Sequence, residues 1–80
     1  TCRDEMLEAV EHIIRRKGKN EFSAEEVIDE MKRRGTQYKS STIQTHVTSK
    51  MCANAPVHHA DKTDDFLRIG RGLYKLRDRD

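Results

Sequence analysis

Several residue types that build large cores are scarce in this chain. It has no tryptophan, one proline, two phenylalanines and two tyrosines among 80 residues, and only 34% of its residues are apolar. No apolar run approaches the ~18 residues of a membrane-spanning helix, and there is no signal-peptide segment. We therefore expect one small domain spanning residues 1–80. Because the chain begins at Thr1 rather than Met, we expect that domain to be excised from a larger protein.

Cysteine is equally scarce, and its placement argues against disulfide or metal chemistry. Cys2 is expected at a fraying terminus, and a pair with Cys52 does not make a disulfide framework, which favours a reducing compartment. The possible ligands near Cys52 do not follow zinc spacings, and adjacent histidines cannot easily bind one ion. These ligands are His46, His58 and His59. We expect no metal and no cofactor, with His46 half-buried at the edge of the core.

Motifs of catalysis are also missing. The chain contains no G-x-S-x-G, no phosphate-binding loop and no H-E-x-x-H pattern. Cys52 and His59 are a conceivable nucleophile and base, but a charged domain of this size has little room for a pocket that excludes water. The sequence therefore predicts a protein that is not an enzyme.

Acidic residues are absent from the middle of the chain. Residues 31–60 carry five basic residues and no acidic residue, whereas residues 1–30 carry nine acidic and five basic residues. A positive block of this kind is typical of a nucleic-acid surface, although many charge runs are only solvated faces.

Two amphipathic helices are predicted in the first half. Thr1 can cap the first, whose apolar residues recur at spacings of three and four until Gly18. Ser23 and Glu26 form a capping box for the second, which Gly35 ends. An aromatic residue just before the cap, Phe22, suggests a brief strand.

A third helix is predicted within the stretch YKSSTIQTHVTSKMC, residues 38–52. Ser41 is the expected N-cap with Gln44 as its capping-box partner, so that the helix covers residues 41–52. On a helical wheel Ile43, Val47 and Met51 share the core face, and the opposite face carries hydroxyl and amide groups without a carboxylate. This face is suited to docking against DNA, but a core helix with a solvated polar face fits the pattern as well.

The chain ends in two short alternating segments around Gly70-Arg71-Gly72, which predict a β-hairpin. Helix, short strand, helix, helix and hairpin is the winged-helix order. The expected fold class is therefore mainly α with a small β-hairpin, namely a winged helix-turn-helix of three helices plus a wing.

The segments FSAEEVIDEMKRRG, STIQTHV and DFLRIGRGLYKL resemble the HARE winged-helix family and related domains of bacterial restriction-type proteins, over residues 3–77. The segment CANAPVHH is similar to a signature of uncharacterised bacterial winged-helix domains. The resemblance implies that Ser41, Thr42, Gln44, Thr45, Thr48 and Ser49 lie on a recognition helix and Arg71 on a wing. It also implies a reader of DNA sequence or modification, serving a restriction or regulatory activity such as transcription regulation. The very short hairpin loop departs from wings that probe the minor groove deeply.

The sequence thus predicts a duplex DNA-binding module of the bacterial cytoplasm, associated with the nucleoid. Lysines and arginines would contact phosphates, with Lys50 reaching outward from near the core face, and Gln44 and threonines would contact base edges. The full predicted interface is Lys39, Ser40, Ser41, Thr42, Gln44, Thr45, Thr48, Ser49, Lys50, His58, His59, Arg68, Arg71 and Lys75.

A protein-interaction module is the alternative. It would use the acidic face of the first two helices, which consists of Glu5, Glu8, Glu11, Glu25 and Asp29. Double-stranded RNA is a weaker option, since it is recognised mainly by shape. The pattern leaves open the preferred DNA sequence, the oligomeric state and the activity of the larger protein.

Overall fold

The computed structural model describes residues 1–55 and 63–77 of the chain. Three α-helices come first, and an antiparallel pair of strands follows. The elements are α1 (Cys2–Lys17), α2 (Ala24–Arg33), α3 (Ser40–Thr45), a π-helical turn (His46–Lys50), β1 (Phe66–Gly70) and β2 (Leu73–Leu76). The π turn follows α3 directly, and residues 40–50 are called the third helix below. The predicted class, mainly α with a small hairpin in a winged-helix arrangement, is confirmed.

The caps of α1 and α2 are those that the sequence predicts. The hydroxyl of Thr1 accepts a hydrogen bond from the Asp4 amide at 3.2 Å, and Gly18 ends α1 with a left-handed φ of 76°. In α2 both capping-box bonds between Ser23 and Glu26 are present. Such caps satisfy backbone groups that the helix itself leaves without partners.

The end of α2 shows why Gly35 is needed there. Its amide donates to the Lys32 carbonyl at 3.0 Å, and the Thr36 amide donates to the Met31 carbonyl at 3.1 Å. This pair of bonds is the Schellman motif, which requires a left-handed residue, and Gly35 has a φ of 82°. The chain therefore turns sharply from α2 towards the third helix.

The third helix begins differently from the sequence prediction. Lys39 is the N-cap and makes no side-chain capping bond, whereas Ser41 lies inside the first turn. The predicted Ser41–Gln44 capping box is therefore wrong. Counted from the N-cap, the helix begins two residues earlier, because the extended backbone of Lys39 already provides the first carbonyl, which accepts from the Ile43 amide at 3.0 Å.

The small sheet joins the loop after α1 to the hairpin. Phe22 forms an isolated antiparallel bridge with Tyr74, which confirms the brief strand, and β2 pairs on its other side with β1. The spatial order is therefore the Phe22 bridge, β2 and β1. This arrangement attaches the hairpin, called the wing (residues 66–76), to the loop between α1 and α2.

Two asparagine side chains complete the outer edges of this sheet. The Asn20 amide donates to the Leu76 carbonyl and accepts from the Leu76 amide, both at 2.8 Å. The side-chain amide of Asn54 likewise donates to the Arg68 carbonyl at 3.1 Å and accepts from the Arg68 amide at 3.0 Å. Each asparagine side chain thus makes the two hydrogen bonds that a residue of a neighbouring strand would make.

The core lies between the helices and the inner face of the wing. The predicted core face of the third helix is confirmed, since Ile43, Val47 and Met51 are buried. Phe22 meets Phe66 edge-to-face with ring centroids 5.0 Å apart. Cys2 is only 8% exposed, so the expectation of a fraying terminus is wrong, and both cysteines are free thiols. No helix of the described residues is long and apolar enough to cross a membrane.

Candidate nucleic-acid interface

The outward face of the third helix is built from small polar side chains. Ser41, Gln44 and Thr45 are exposed, and Ser40, Thr42, Thr48 and Ser49 are half-buried. The Thr48 hydroxyl donates to the Gln44 carbonyl at 2.9 Å, so its hydrogen is already used within the helix. Thr48 therefore contributes less to an outward face than its predicted wheel position suggests.

The π turn changes which residues share this face. Within it the Met51 amide donates to the His46 carbonyl, five residues back, at 2.8 Å. Each residue of a π turn is rotated about the helix axis by a smaller angle than in an α-helix. The residues after His46 therefore lie at smaller rotation angles than the helical wheel predicted. Lys50 is consequently shifted from its wheel position, and its side chain is half-buried.

A shallow cavity confirms the new grouping. Lys50 lines a depression of about 270 Å³ together with residues of the first turns of the third helix. The other lining residues are Ser41, Thr42, Thr45 and His46. Lys50 thus lies beside the predicted reading residues, and it also lines a second depression with the core residues Cys2 and Met51.

His46 is half-buried and satisfied, as predicted. Its Nδ1 lies 2.9 Å from the Thr42 carbonyl oxygen. Because a carbonyl oxygen can only accept a hydrogen bond, Nδ1 carries the hydrogen in this contact. The side chain therefore stabilises the carbonyl one turn earlier while still lining the cavity.

The positive block is weaker than the sequence count suggests, because Glu30 lies within reach of three arginines. This carboxylate is 4% exposed and contacts Arg33 at 2.7 Å, Arg34 at 3.0 Å and Arg16 at 3.4 Å. Burial alone would raise the pKa of Glu30, but hydrogen bonding to Arg34 and the charge of Arg33 outweigh it and lower that pKa. Two of the five bases in residues 31–60 are therefore paired with an acid just outside that window.

Other basic side chains near the interface come from the start of the third helix and from the wing. Lys39 is exposed at the N-cap, and Arg68 and Arg71 are exposed on the wing, where Lys75 is half-buried. His58 and His59, which were also predicted to contact DNA, lie outside the described residues. No acidic residue occurs between residues 31 and 55 or between residues 66 and 77.

The acidic face is partly occupied by contacts within the domain. Glu5 accepts from the Thr36 hydroxyl at 2.9 Å, and Glu8 pairs with Arg34 at 3.4 Å. Both acids line a groove of about 600 Å³ between α1 and the turn that leads to the third helix. Met31 and Tyr38 also line this groove.

The described residues contain no group of three or more metal-binding side chains. Burial raises the pKa of the Cys2 thiol, which keeps it in the unreactive protonated form. The Cys52 thiol donates to the Asn54 carboxamide oxygen at 3.2 Å and so helps to hold the residue that pairs with Arg68.

One exposed apolar side chain escaped the sequence analysis. Ile69, at the end of β1, is 43% exposed and lines a shallow depression with Asn54, Arg68, Gly70 and Arg71. Alternation along β1 from the buried Phe66 places Ile69 on the outer face, so the segment FLRI already carried the sequence signal for this exposure.

Comparison with known proteins gives one relationship. Searches among curated proteins and among solved structures found no match. A family model described as "Domain of unknown function (DUF7669)" matches residues 1–76, almost all of the small helical domain and its wing. The chain therefore belongs to the DUF7669 family of domains.

Proposed function

We propose that this domain binds duplex DNA, with the third helix in the major groove and the wing against the neighbouring backbone. The observation that supports this most is the outward face of the third helix, which presents hydroxyls, an amide and Lys50 with no carboxylate among them. Helices of this kind fit the major groove, where side chains reach base edges.

The proposed contacts fall into two groups. Lys39, Lys50, Arg68, Arg71 and Lys75 bind phosphates, which provides affinity that depends on salt and little on sequence. Base edges are contacted from the exposed positions of the third helix, where Gln44 suits adenine and the methyl of Thr45 suits thymine. Since hydroxyls accept several partners, modest sequence specificity is expected.

A finer form of the proposal concerns the biological setting. The resemblance to HARE-type and restriction-associated bacterial domains supports a reader of DNA sequence or modification, attached to a restriction or regulatory activity. In that setting the domain would act at the nucleoid. This form rests on the resemblance and on the winged-helix arrangement, and it adds no contact to those above.

Protein binding through the acidic face is the second candidate. The groove lined by Glu5, Glu8 and Tyr38 favours it, because two carboxylates beside an aromatic ring suit a basic segment of a partner, which would compete with Arg34 for Glu8. The two functions respond differently to DNA, so one titration separates them.

The test is an NMR titration of the labelled domain with a mixed-sequence duplex at low and at moderate salt. The DNA proposal expects amide shifts in residues 39–50 and 68–75 that weaken as salt rises. An absence of shifts at both salt concentrations would remove the DNA proposal and direct attention to the groove.

A charge reversal on the third helix provides the first specific prediction. Thr45→Glu should weaken duplex binding by about a hundredfold, since a carboxylate pressed against phosphates costs several kcal/mol, and it should leave the fold intact because Thr45 is exposed. Fluorescence anisotropy with a labelled duplex measures the affinity, and circular dichroism checks the fold.

The matched control is Arg15→Gln, which changes the net charge by the same amount from the exposed surface of α1. Equal losses for the two variants would mean that overall charge, rather than the third helix, governs binding.

A further inference from the structure

The wing exposes an apolar side chain where polar ones would be expected. Single exposed apolar residues are common on proteins, so the 43% exposure of Ile69 carries no argument alone. Three further features distinguish this residue: its position in the strand pairing, the hydrogen bonds that hold the adjacent backbone, and the charges around it.

Ile69 lies on the outer face of β1. Phe66 is buried, so alternation along the strand places Leu67 and Ile69 on the opposite face. Arg68 lies opposite Tyr74 and Gly70 lies opposite Leu73, so Ile69 is also the extra residue of a β-bulge and has no residue opposite it in β2. The outward direction of the isoleucine therefore follows from the backbone.

The backbone beside the bulge is held on both sides. Asn54 bonds both the amide and the carbonyl of Arg68, which immediately precedes Ile69. Across the hairpin, Tyr74 exchanges two backbone bonds with Phe22, at 2.8 and 2.9 Å. These bonds fix the position of the backbone that carries Ile69.

The charges around Ile69 suit a polyanion. Arg68 and Arg71 flank it along the chain, both are exposed, and residues 66–77 contain no acid. Asn54, which follows the third helix, lines the same depression of about 380 Å³, so the wing tip adjoins the end of that helix.

We propose that Ile69 is a wedge that enters a base step of bound DNA from the minor groove while Arg68 and Arg71 hold the adjacent phosphates. Apolar side chains inserted in this way unstack a step and bend the duplex. A short wing suffices, because only the side chain penetrates. Flexible pyrimidine–purine steps would then be favoured at a position where no base edge is read. This inference rests on the proposed DNA binding and adds deformation of the DNA to it.

The experiment uses mixed-sequence duplexes that carry 2-aminopurine, a base whose fluorescence rises when it is unstacked, at successive positions. The unaltered chain should raise the fluorescence several-fold at one position. Ile69→Ala should abolish that rise and weaken binding about tenfold, the loss expected for one buried apolar side chain. Ile69→Leu should retain most of the rise.

Arg71→Ala is the control, since it removes a phosphate contact and leaves the apolar side chain in place. It should weaken binding but keep the fluorescence rise once the duplex is saturated. Circular dichroism establishes that each variant is folded.

The outcomes separate the two proposals. Saturable duplex binding without a fluorescence rise, or an equal rise with Ile69→Ala, would overturn the wedge and leave DNA binding standing. A failure of the unaltered chain to bind any duplex would overturn both.

Discussion

At the scale of single residues, Glu30 determines how much of the basic sequence block is available to a partner. Its carboxylate joins Arg16 of α1 to Arg33 and Arg34 at the end of α2. The contacts with Arg33 and Arg34 follow from spacings of three and four along a helix, so the sequence could have predicted them. The contact with Arg16 depends on how the two helices pack.

Replacing this carboxylate tests its role. Glu30→Gln should lower the free energy of unfolding by about 1–3 kcal/mol, because the side chain is buried while its arginine partners are partly exposed and can be rehydrated. Urea denaturation measures the change. Asp29→Asn, on the exposed side of α2, is the control and should stay within about 0.5 kcal/mol. Equal effects of the two variants would contradict the role given to Glu30.

At the scale of elements, local chemistry was easier to predict than geometry that depends on distant contacts. The caps of α1 and α2 and the turn at Gly72 depend on neighbouring residues, and they were predicted correctly. The pairings of Asn20 with Leu76 and of Asn54 with Arg68 join residues far apart in the sequence, so no local pattern indicates them.

The π turn is also a feature that no local sequence pattern indicates. Its apolar residues Val47 and Met51 are four apart, a spacing that an α-helix also satisfies, and no residue type signals the wider turn. In the structure Lys50 lines one depression together with Thr42 and Thr45. Helices that widen for one turn often do so at functional sites.

The position of Lys50 can be tested through salt dependence. If Lys50 contacts a phosphate, Lys50→Gln should reduce the slope of log affinity against log salt concentration by about one. Lys32→Gln, on the exposed surface of α2, should leave the slope unchanged. Loss of stability with an unaltered slope would mean that Lys50 supports the packing of the domain and contacts no phosphate. Anisotropy titrations over a range of salt provide the measurement.

At the scale of the whole molecule, the acid stability of the domain depends on buried or capped carboxylates. Burial works to raise the pKa of Glu26, but the Ser23 amide and the Lys17 ammonium outweigh it and lower that pKa. The pKa of Glu30 is also lowered, because Arg34 and Arg33 outweigh the effect of burial. Below the ordinary glutamate value of 4.5, the unfolded chain therefore binds more protons than the folded chain.

The stability of the domain should consequently be highest above that value and should fall as the pH drops through the lower pKa values of the folded state. Urea denaturation at a series of pH values below neutrality measures this dependence. The Glu30→Gln chain should lose less stability than the unaltered chain over the same interval. Parallel curves for the two chains would show that Glu30 does not contribute.

The asparagine pairings at the sheet edges limit how this domain can meet any partner. Many modules bind a peptide by adding it as a further strand, which requires an edge with unused backbone groups. In the wing, Asn20 and Phe22 occupy the outer side of β2, and Asn54 and Ala53 occupy that of β1. Recognition by strand addition is therefore blocked along these paired positions. Among the described residues, the side chains of the helices and of the wing tip are left as the surface that a nucleic acid or a protein can contact.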